Sequence, residues 1–266
     1  MDIRYKKMNV LRFDTISLFP QMFEAITNFG ITSKALHKMS EPLWQWQNWN
    51  PRDYANNRLG YIDDRPYGGG CGMIMQAEPI EKSILAAKQN HINSNFAGSL
   101  VIYLSPQGEV LNQNNIANLL NLVLTKNLGL ILLCGRYEGI DERVLNLYVE
   151  KEISIGDYVL SGGELAAMIL MDAMIRLLPK ALNHQDSAVL DSFSEELDGG
   201  LDFPQYTRPE VFHGERVPEV LLSGNHQAIL QWRLQQSRLR TQQKRPDLFL
   251  KMQTSSKNSK NSKNKN

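Results

Sequence analysis

Three glycine-bearing loops combine residue types that can hold a ligand through backbone atoms. They are Ser105–Gly108, Gly135–Gly139 and Ser154–Gly163. Each follows a predicted strand or leads into a predicted helix, and in open α/β sheets ligands bind outside the carboxyl ends of the strands. Glycine there permits close approach of the backbone to a ligand. One such loop alone is more typical of an ordinary turn, but three at successive element junctions favour a binding site.

The segment Asp63–Met73 is a fourth glycine-rich loop. It places Gly68, Gly69, Gly70 and Gly72 within five successive positions. Ordering so many glycines costs backbone entropy that a simple connection does not require. The loop is therefore predicted to be flexible or to lie against a ligand.

Several common catalytic patterns are missing from the sequence. It contains no G-x-G-x-x-G after a strand, no G-x-x-x-x-G-K-[ST] and no G-x-S-x-G, which argues against Rossmann, P-loop and α/β-hydrolase chemistry. Cys134 is expected to be a small core residue rather than a nucleophile. The histidines show no zinc-ligand spacing and are more typical of surface or packing positions: His37, His91, His184, His213 and His226. A nucleotide-like ligand held by backbone amides fits best.

Charge is divided unevenly along the chain. Residues 183–202 carry six acids and no Lys or Arg, which predicts a linker. Residues 225–252 carry six Lys or Arg and one acid, with Trp232 among the arginines. This pattern favours a phosphate-binding helix over a merely solvated helix face. Residues 253–266 contain only Gln, Thr, Ser, Lys and Asn and are expected to be a disordered basic tail.

The strands and helices predicted around these loops indicate an α/β fold. Apolar runs at 13–19, 100–105 and 128–134 predict strands, and the last two lack the alternation of half-exposed strands. Helical spacing between them, from Ile116 to Leu124, predicts a strand–helix–strand unit. Ser161–Glu164 matches a capping box that would begin an apolar helix, which is expected to continue from Leu165 to Leu178.

A smaller, largely helical unit is predicted to follow the acidic segment. Four of its apolar residues are expected to face its core: Ile229, Trp232, Leu234 and Leu239.

The composition is that of a globular protein. Of the 266 residues, 42% are hydrophobic and 21% charged, which excludes wholesale disorder. Two cysteines are too few for a disulfide framework. The longest apolar run is far shorter than the ~20 residues of a membrane helix, and no signal peptide is recognisable. We therefore expect a cytoplasmic protein without a membrane partner.

Long contiguous segments resemble one known family, the bacterial tRNA (guanine-N1-)-methyltransferases of the SPOUT superfamily. The resemblance spans roughly residues 13 to 250. The segments that carry it are ISLFPQMF (16–23), DDRPYGGGCGM (63–73), YLSPQG (103–108), LCGRYEGIDERV (133–144), SIGDYVLSGGELAAM (154–168), YTRPEVF (206–212), VPEVLLSGNH (217–226) and RPDL (245–248). Motifs of this length lie far beyond the false-positive level of a short pattern.

The resemblance implies an α/β SPOUT domain with a parallel sheet and a deep trefoil knot over residues 9–182. It further implies an acidic interdomain linker (183–202) and a basic, mainly helical tRNA-binding domain (203–252), followed by the tail (253–266). The family forms homodimers with active sites at the subunit interface. It methylates N1 of guanosine at tRNA position 37, next to the anticodon, and is not expected to act on DNA.

The resemblance also implies which residues hold the methyl donor, S-adenosylmethionine, in the knot. The matching positions are Tyr103, Leu104, Ser105, Gly135, Tyr137, Glu138, Ser154, Ile155, Gly156, Asp157, Tyr158, Val159, Leu160, Gly162 and Gly163, with Asp202 near the donor's amino group. Mg²⁺ is a possible partner by family analogy, but no metal ligands can be read from the sequence.

Two further positions match the family's catalytic residues. Guanine N1 carries a proton at neutral pH, so a general base is required, and the family's base corresponds to Asp191. Charge developing toward guanine O6 requires a cation, and the family's arginine matches Arg176. From the residues alone, Asp191 could be a helix N-cap and Arg176 could bind the last carbonyls of a helix.

Two other functions are compatible with a SPOUT fold. One is methylation of another RNA or of a ribose 2′-OH, which would not require the Asp191 motif or the C-terminal motifs. The other is RNA binding without catalysis, which would be accompanied by loss of the base or of the donor loops.

Overall fold

The computed structural model describes residues 10–182 and 190–263, with side chains as far as Thr254. The predicted domain start at residue 9, linker residues 183–189 with His184, and the last three tail residues lie outside the described residues. Contacts divide the chain into two compact units, Met1–Ala181 and Leu182–Asn266.

The first unit is built on a parallel β-sheet. Its strands are β1 (Leu11–Ile16), β2 (Trp44–Trp49), β3 (Asp63–Asp64), β4 (Ile74–Met75), β5 (Gly98–Val110), β6 (Leu128–Leu133) and β7 (Lys151–Ser154). Its α-helices are α1 (Glu24–Thr27), α2 (Gly30–His37), α3 (Ala77–Asn93), α4 (Gln113–Lys126), α5 (Glu142–Tyr148) and α6 (Glu164–Ile175). Five strands pair in parallel in the order β2-β1-β6-β5-β7, while β3 and β4 form a separate antiparallel pair. The α/β class is confirmed.

Alternate residues of the sheet enter two hydrophobic cores, one on each face. In β6, Leu130 and Leu132 contribute to the core formed with α4 and α6. Their neighbours Ile131 and Leu133 contribute to the core formed with α3 and α5. Because both faces are covered, the strand needs no polar alternation, and its prediction as a buried parallel strand is confirmed.

The predicted capping box at Ser161–Glu164 is wrong. Helix α6 has Gly163 at its N-cap, without a side-chain cap, and ends at Ile175 rather than Leu178. Glu164 is fully buried and accepts a hydrogen bond from Ser17 Oγ at 2.7 Å. The helix begins at Glu164, later than predicted, because Gly163 packs against the backbone of the preceding loop. A Cβ on Gly163 would lie 2.8 Å from Cys134 Cα.

A buried charge cluster connects the sheet to α3. Asp14 is fully buried and forms an ion pair with Arg12 Nε at 2.7 Å. Its carboxylate also contacts His91 Nε2 and accepts a hydrogen bond from Trp49 Nε1. Burial alone would raise the pKa of Asp14, but the hydrogen bonds to His91 and Arg12 outweigh burial and hold the pKa below its ordinary value of 3.8.

Replacing Asp14 with asparagine should destabilise the first unit by about 3–5 kcal/mol, because it leaves Arg12 and His91 buried without the compensating charge. Since the folded-state pKa of Asp14 is lowered, its contribution is present above the unfolded pKa and is lost as pH falls through the folded pKa. Denaturant unfolding of both proteins from pH 7 downward measures this difference. The exposed Glu78→Gln is the control and should change stability far less. Equal stability of Asp14→Asn and wild type at pH 7 would contradict this assignment.

The second unit contains short strands followed by helices. They are β8 (Val211–Phe212), β9 (Glu215–Arg216), α7 (Glu219–Leu222), α8 (His226–Lys244) and α9 (Pro246–Lys263), preceded by a 3-10 turn, Glu195–Leu197. Helix α9 continues over most of the segment predicted to be a disordered tail, and no proline or glycine interrupts it there. None of the described helices combines the length and apolar character needed to cross a membrane.

The buried face of α8 differs from the predicted one. Leu239 is 42% exposed, whereas Ser237 and Thr241 are buried. Ser237 Oγ donates to the carbonyl of Leu201, and Thr241 Oγ1 accepts from the N–H of Leu201 at 2.9 Å. The end of the acidic segment therefore lies on this face, and small hydroxyl side chains are needed to hydrogen-bond its backbone.

Candidate functional site

Three loops meet around a cavity of about 320 Å³, two of them after the carboxyl ends of β6 and β7 and one within β5. They are the three glycine-bearing loops identified in the sequence. Of the residues predicted to hold a donor, all but Asp157 and Asp202 line this cavity. Asp157 is an exposed residue of the third loop, and Asp202 belongs to the second unit. The volume lies within the range of about 300–1,000 Å³ typical of small-molecule sites.

The first loop, 105–108, is a bulge within β5. The pairing of β5 with β7 shifts register between Leu104 and Glu109. Ser105 Oγ accepts a hydrogen bond from the N–H of Gln107 at 3.1 Å. A Cβ on Gly108 would lie 2.4 Å from the backbone of Glu152, so only glycine permits this return to the sheet.

The second loop connects the cavity to the glycine-rich segment 63–73. Tyr137 adopts a left-handed φ of 59°. The N–H of Glu138 donates to the carbonyl of Met73 at 2.9 Å. A Cβ on Gly72 would lie 2.5 Å from the Glu138 side chain. The fourth glycine loop therefore ends against the cavity wall.

The third loop approaches the ligand space with its backbone. Gly156 has a φ of 142°, and a Cβ there would lie 2.6 Å from the Tyr158 ring. Ser154 Oγ accepts a hydrogen bond from the N–H of Gly156 at 3.2 Å. The N–H of Gly163 donates to the carbonyl of Gly135 at 3.0 Å, which joins the second and third loops directly.

Arg136, which was not among the predicted site residues, joins the second and third loops. Its Nε lies 2.9 Å from Oε2 of the buried Glu164, without the alignment of a hydrogen bond. Its Nη1 donates to the carbonyl of Ser161 at 3.1 Å, and its guanidinium lies 4.5 Å from the centre of the Phe19 ring. The signal was available, because an arginine and a glutamate both stand next to glycines of the cavity loops.

Tyr103, which lines the cavity, and Cys134, next to Gly135, both have a raised pKa, which favours their neutral forms. Burial, and then the charges of Glu152 and Glu142, raise the pKa of Tyr103. Burial raises the pKa of Cys134 well above its ordinary value, with Glu164 adding to the effect. A neutral buried thiol is a poor nucleophile, as expected for a core cysteine.

The cavity has the volume and the mixed polar and apolar lining of a small-molecule site. Residues of all three loops line it, and Tyr103, Leu104 and Ile155 are among the lining residues. Among the residues that the structure describes, no three His, Cys, Asp or Glu side chains are grouped as a metal site requires. The Mg²⁺ expected by analogy therefore has no candidate ligand set there.

The proposed catalytic residues lie on different units. Arg176 is the exposed C-cap residue of α6, and its N–H donates to the carbonyl of Asp172. Asp191 lies half-buried in the second unit, in a turn closed by a hydrogen bond from the N–H of Ser194 to its carbonyl. Ser194 holds the N-cap of the next helical turn, so Asp191 does not occupy that position.

The Asp202 side chain interacts with two other residues of the second unit, Ser192 and Arg240. Its Oδ1 accepts a hydrogen bond from Ser192 Oγ at 3.1 Å, and its N–H donates to the same hydroxyl. Arg240 Nη1 lies 4.0 Å from the Asp202 carboxylate.

Comparison with known proteins gives matches over nearly the whole chain. The family model described as tRNA (Guanine-1)-methyltransferase TrmD matches residues 11–251. A protein of Dechloromonas aromatica is 55% identical over 240 residues, covering 90% of this chain and 91% of the relative. A protein of Chromobacterium violaceum is 53% identical, covering 90% and 89%, and one of Nitrosospira multiformis is 52% identical, covering 91% and 90%. All three are named tRNA (guanine-N(1)-)-methyltransferase.

Proposed function

The chain belongs to the TrmD family of tRNA (guanine-1)-methyltransferases, and we propose that it transfers a methyl group from S-adenosylmethionine to N1 of guanosine 37 in tRNA. The observation that carries the proposal is the convergence of the three glycine loops on one cavity. These loops lie within the region matched by the family model.

The volume and lining of the cavity fit S-adenosylmethionine, and its glycines let the loops pack closely against Tyr103 and Arg136. A Cβ on Gly135 would meet the Tyr103 phenol at 2.9 Å, and one on Gly162 would meet Arg136 Nε at 2.3 Å. The loop backbones would bind the adenosine part of the donor. Arg136 would hold the third loop in place through its hydrogen bond to the carbonyl of Ser161. The bound donor supplies a methyl group that its sulfonium has already activated, so the protein must mainly align it with the acceptor.

Asp191 acts in this proposal as the general base that takes the proton from guanine N1. A carboxylate can do so because the guanine becomes more acidic as its N1 attacks the methyl group. Arg176 stabilises the negative charge that develops toward guanine O6. Asp202 contributes to binding the amino group of the donor.

The finer architecture is also part of the proposal. The trefoil knot is inferred from the family, and the hydrogen bond from the N–H of Gly163 to the carbonyl of Gly135 joins two of the loops that would form it. The homodimer is supported by Leu165 and Ile169 on α6, each 46% exposed although apolar. In this proposal residues 183–202 are the linker and residues 203–252 bind tRNA, whereas the basic segment 253–266 is largely a continuation of α9. The protein acts on tRNA rather than DNA, in the cytoplasm.

The acceptor is tested with unmodified tRNA transcripts that differ at one nucleotide. A transcript with guanosine at position 37 should accept one methyl group, and one with adenosine there should accept none. Adenine has no N1 proton and presents an amino group in place of O6. Equal methylation of both transcripts would contradict the proposal and would favour the ribose alternative.

The basic helix α8 is tested by the salt dependence of tRNA binding. Neutralising Arg233, Arg238 and Arg240 together should lower tRNA affinity and reduce the slope of log K against log salt by about 0.7–0.9 for each lost phosphate contact. Each of these arginines also contacts Phe203, Phe249 or Asp202, so circular dichroism must show an intact fold. Donor affinity should be unchanged. An unaltered salt slope would show that α8 is only a solvated face.

A further inference from the structure

The second unit contains a cavity of its own, of about 440 Å³. It lies between the extended segment Phe203–Glu210 and the helices α7 and α8. None of the residues assigned above to the donor or to the transfer step lines it. This cavity therefore needs a separate explanation.

Aromatic and apolar groups form its walls. Tyr206 is 49% exposed at the cavity, and its ring centre lies 6.3 Å from that of Trp232. Phe203 is buried, and the Arg233 guanidinium lies 4.9 Å from the centre of its ring. Leu221 and Ile229 complete the apolar lining. A half-exposed aromatic ring that lines a partly apolar cavity is suited to stacking a planar group.

The cavity is also lined by positively charged side chains. Arg208 and Arg233 line the cavity, whereas the lining carboxylate of Glu210 faces Arg216 at 3.7 Å. Helix α8, which forms one wall, contains four Lys or Arg and no acid. Gln205 and Thr207 add polar side chains that can meet the edge of a base. The combination of stacking surface, hydrogen-bonding groups and positive charge matches single-stranded nucleic acid.

We propose that this cavity receives one unpaired base of the tRNA substrate, stacked on Tyr206, with Arg208 and Arg233 near its flanking phosphates. The inference rests on the proposed function, since tRNA is the substrate there. The base is a different nucleotide from the methylated guanosine, which must reach the donor in the first unit. The cavity thus gives the enzyme a second contact that reads an unpaired nucleotide rather than duplex backbone.

The stacking role is tested by three variants. Tyr206→Ala should weaken tRNA binding by about 5- to 150-fold, the range for loss of one base stacked on an aromatic ring. Tyr206→Phe should bind tRNA like wild type because it keeps the ring. Phe212→Ala, which removes a 63% exposed aromatic outside the cavity, is the matched control and should leave affinity unchanged. Single-turnover methyl transfer at saturating tRNA should persist in all three.

The base itself is identified by a double-mutant cycle. Transcripts with an abasic ribose at one loop position at a time are bound to wild type and to Tyr206→Ala. At one position, other than the methylated one, the abasic change should weaken binding to wild type and have little further effect in Tyr206→Ala.

Strict additivity at every loop position would overturn the inference. So would a shift in the monomer–dimer equilibrium of Tyr206→Ala without a loss of tRNA affinity, which would assign the cavity to a second copy of the chain. Absence of methyl transfer by the wild type would instead contradict the proposed function, so the two failures are distinguishable.

Discussion

Replacing Asp191 with asparagine should slow methyl transfer by about 10²- to 10⁴-fold, the effect typical of removing a general base. The amide keeps nearly the size of the side chain but cannot take the N1 proton at neutral pH. Donor binding and tRNA binding should both persist, because the account assigns Asp191 to the transfer step alone. Single-turnover transfer at saturating donor and tRNA isolates this step from binding.

Asp198→Asn is the matched control for this substitution. Asp198 lies in the same acidic segment, is exposed, and has a left-handed φ of 51° that asparagine also tolerates. Its variant should transfer the methyl group at the wild-type rate. A wild-type rate in Asp191→Asn would leave the base unidentified and give Asp191 a structural role only.

Replacing Gly135 with valine should lower donor affinity by about 5- to 150-fold, which corresponds to the 1–3 kcal/mol typical of overpacking a well-packed site. The backbone of Gly135 is not in the left-handed region, so valine is not strained there by its φ. Its Cβ would instead meet the Tyr103 side chain at 2.9–3.0 Å and displace this residue, which lines the proposed donor cavity. Calorimetric titration with S-adenosylmethionine measures the loss.

Gly98→Val is the control for the cavity substitution. Gly98 lies at the start of β5, and a Cβ there would make an ordinary 3.5 Å contact with Leu128. This variant should bind the donor normally, and thermal unfolding of both variants should show folded proteins. Wild-type affinity in Gly135→Val would remove the second loop from the donor site.

The sequence contained enough information to predict the sheet interior and the cavity. The apolar run at 128–134 without alternation is typical of a strand covered on both faces, and β6 is one. Glycine loops after such strands necessarily meet at one edge of a parallel sheet, which is why Gly135 and Gly156 line the same cavity. The assignments of Asp191 and Arg176 came from resemblance, since a single carboxylate or guanidinium in a sequence has no distinguishing pattern.

Other features could not be predicted from local sequence patterns because they depend on tertiary contacts. Ser161 matched the pattern of a helix N-cap, but Gly163 packs against Cys134 and the helix begins only at Glu164. Leu239 matched the spacing of a core position. The buried face of α8 instead carries the hydroxyls of Ser237 and Thr241, which hydrogen-bond the backbone of Leu201. Asp14 and His91 lie 77 positions apart, so their buried pairing could not be foreseen from spacing.

The central claim, methylation of guanine N1 in tRNA, is tested most directly by identifying the product nucleoside. A tRNA transcript is incubated with the protein and S-adenosylmethionine carrying an isotope-labelled methyl group, digested to nucleosides, and separated by liquid chromatography with mass detection. The expected product is labelled 1-methylguanosine, released from the oligonucleotide that contains position 37. A label on a ribose 2′-oxygen, on another base, or on another atom of guanine would contradict it.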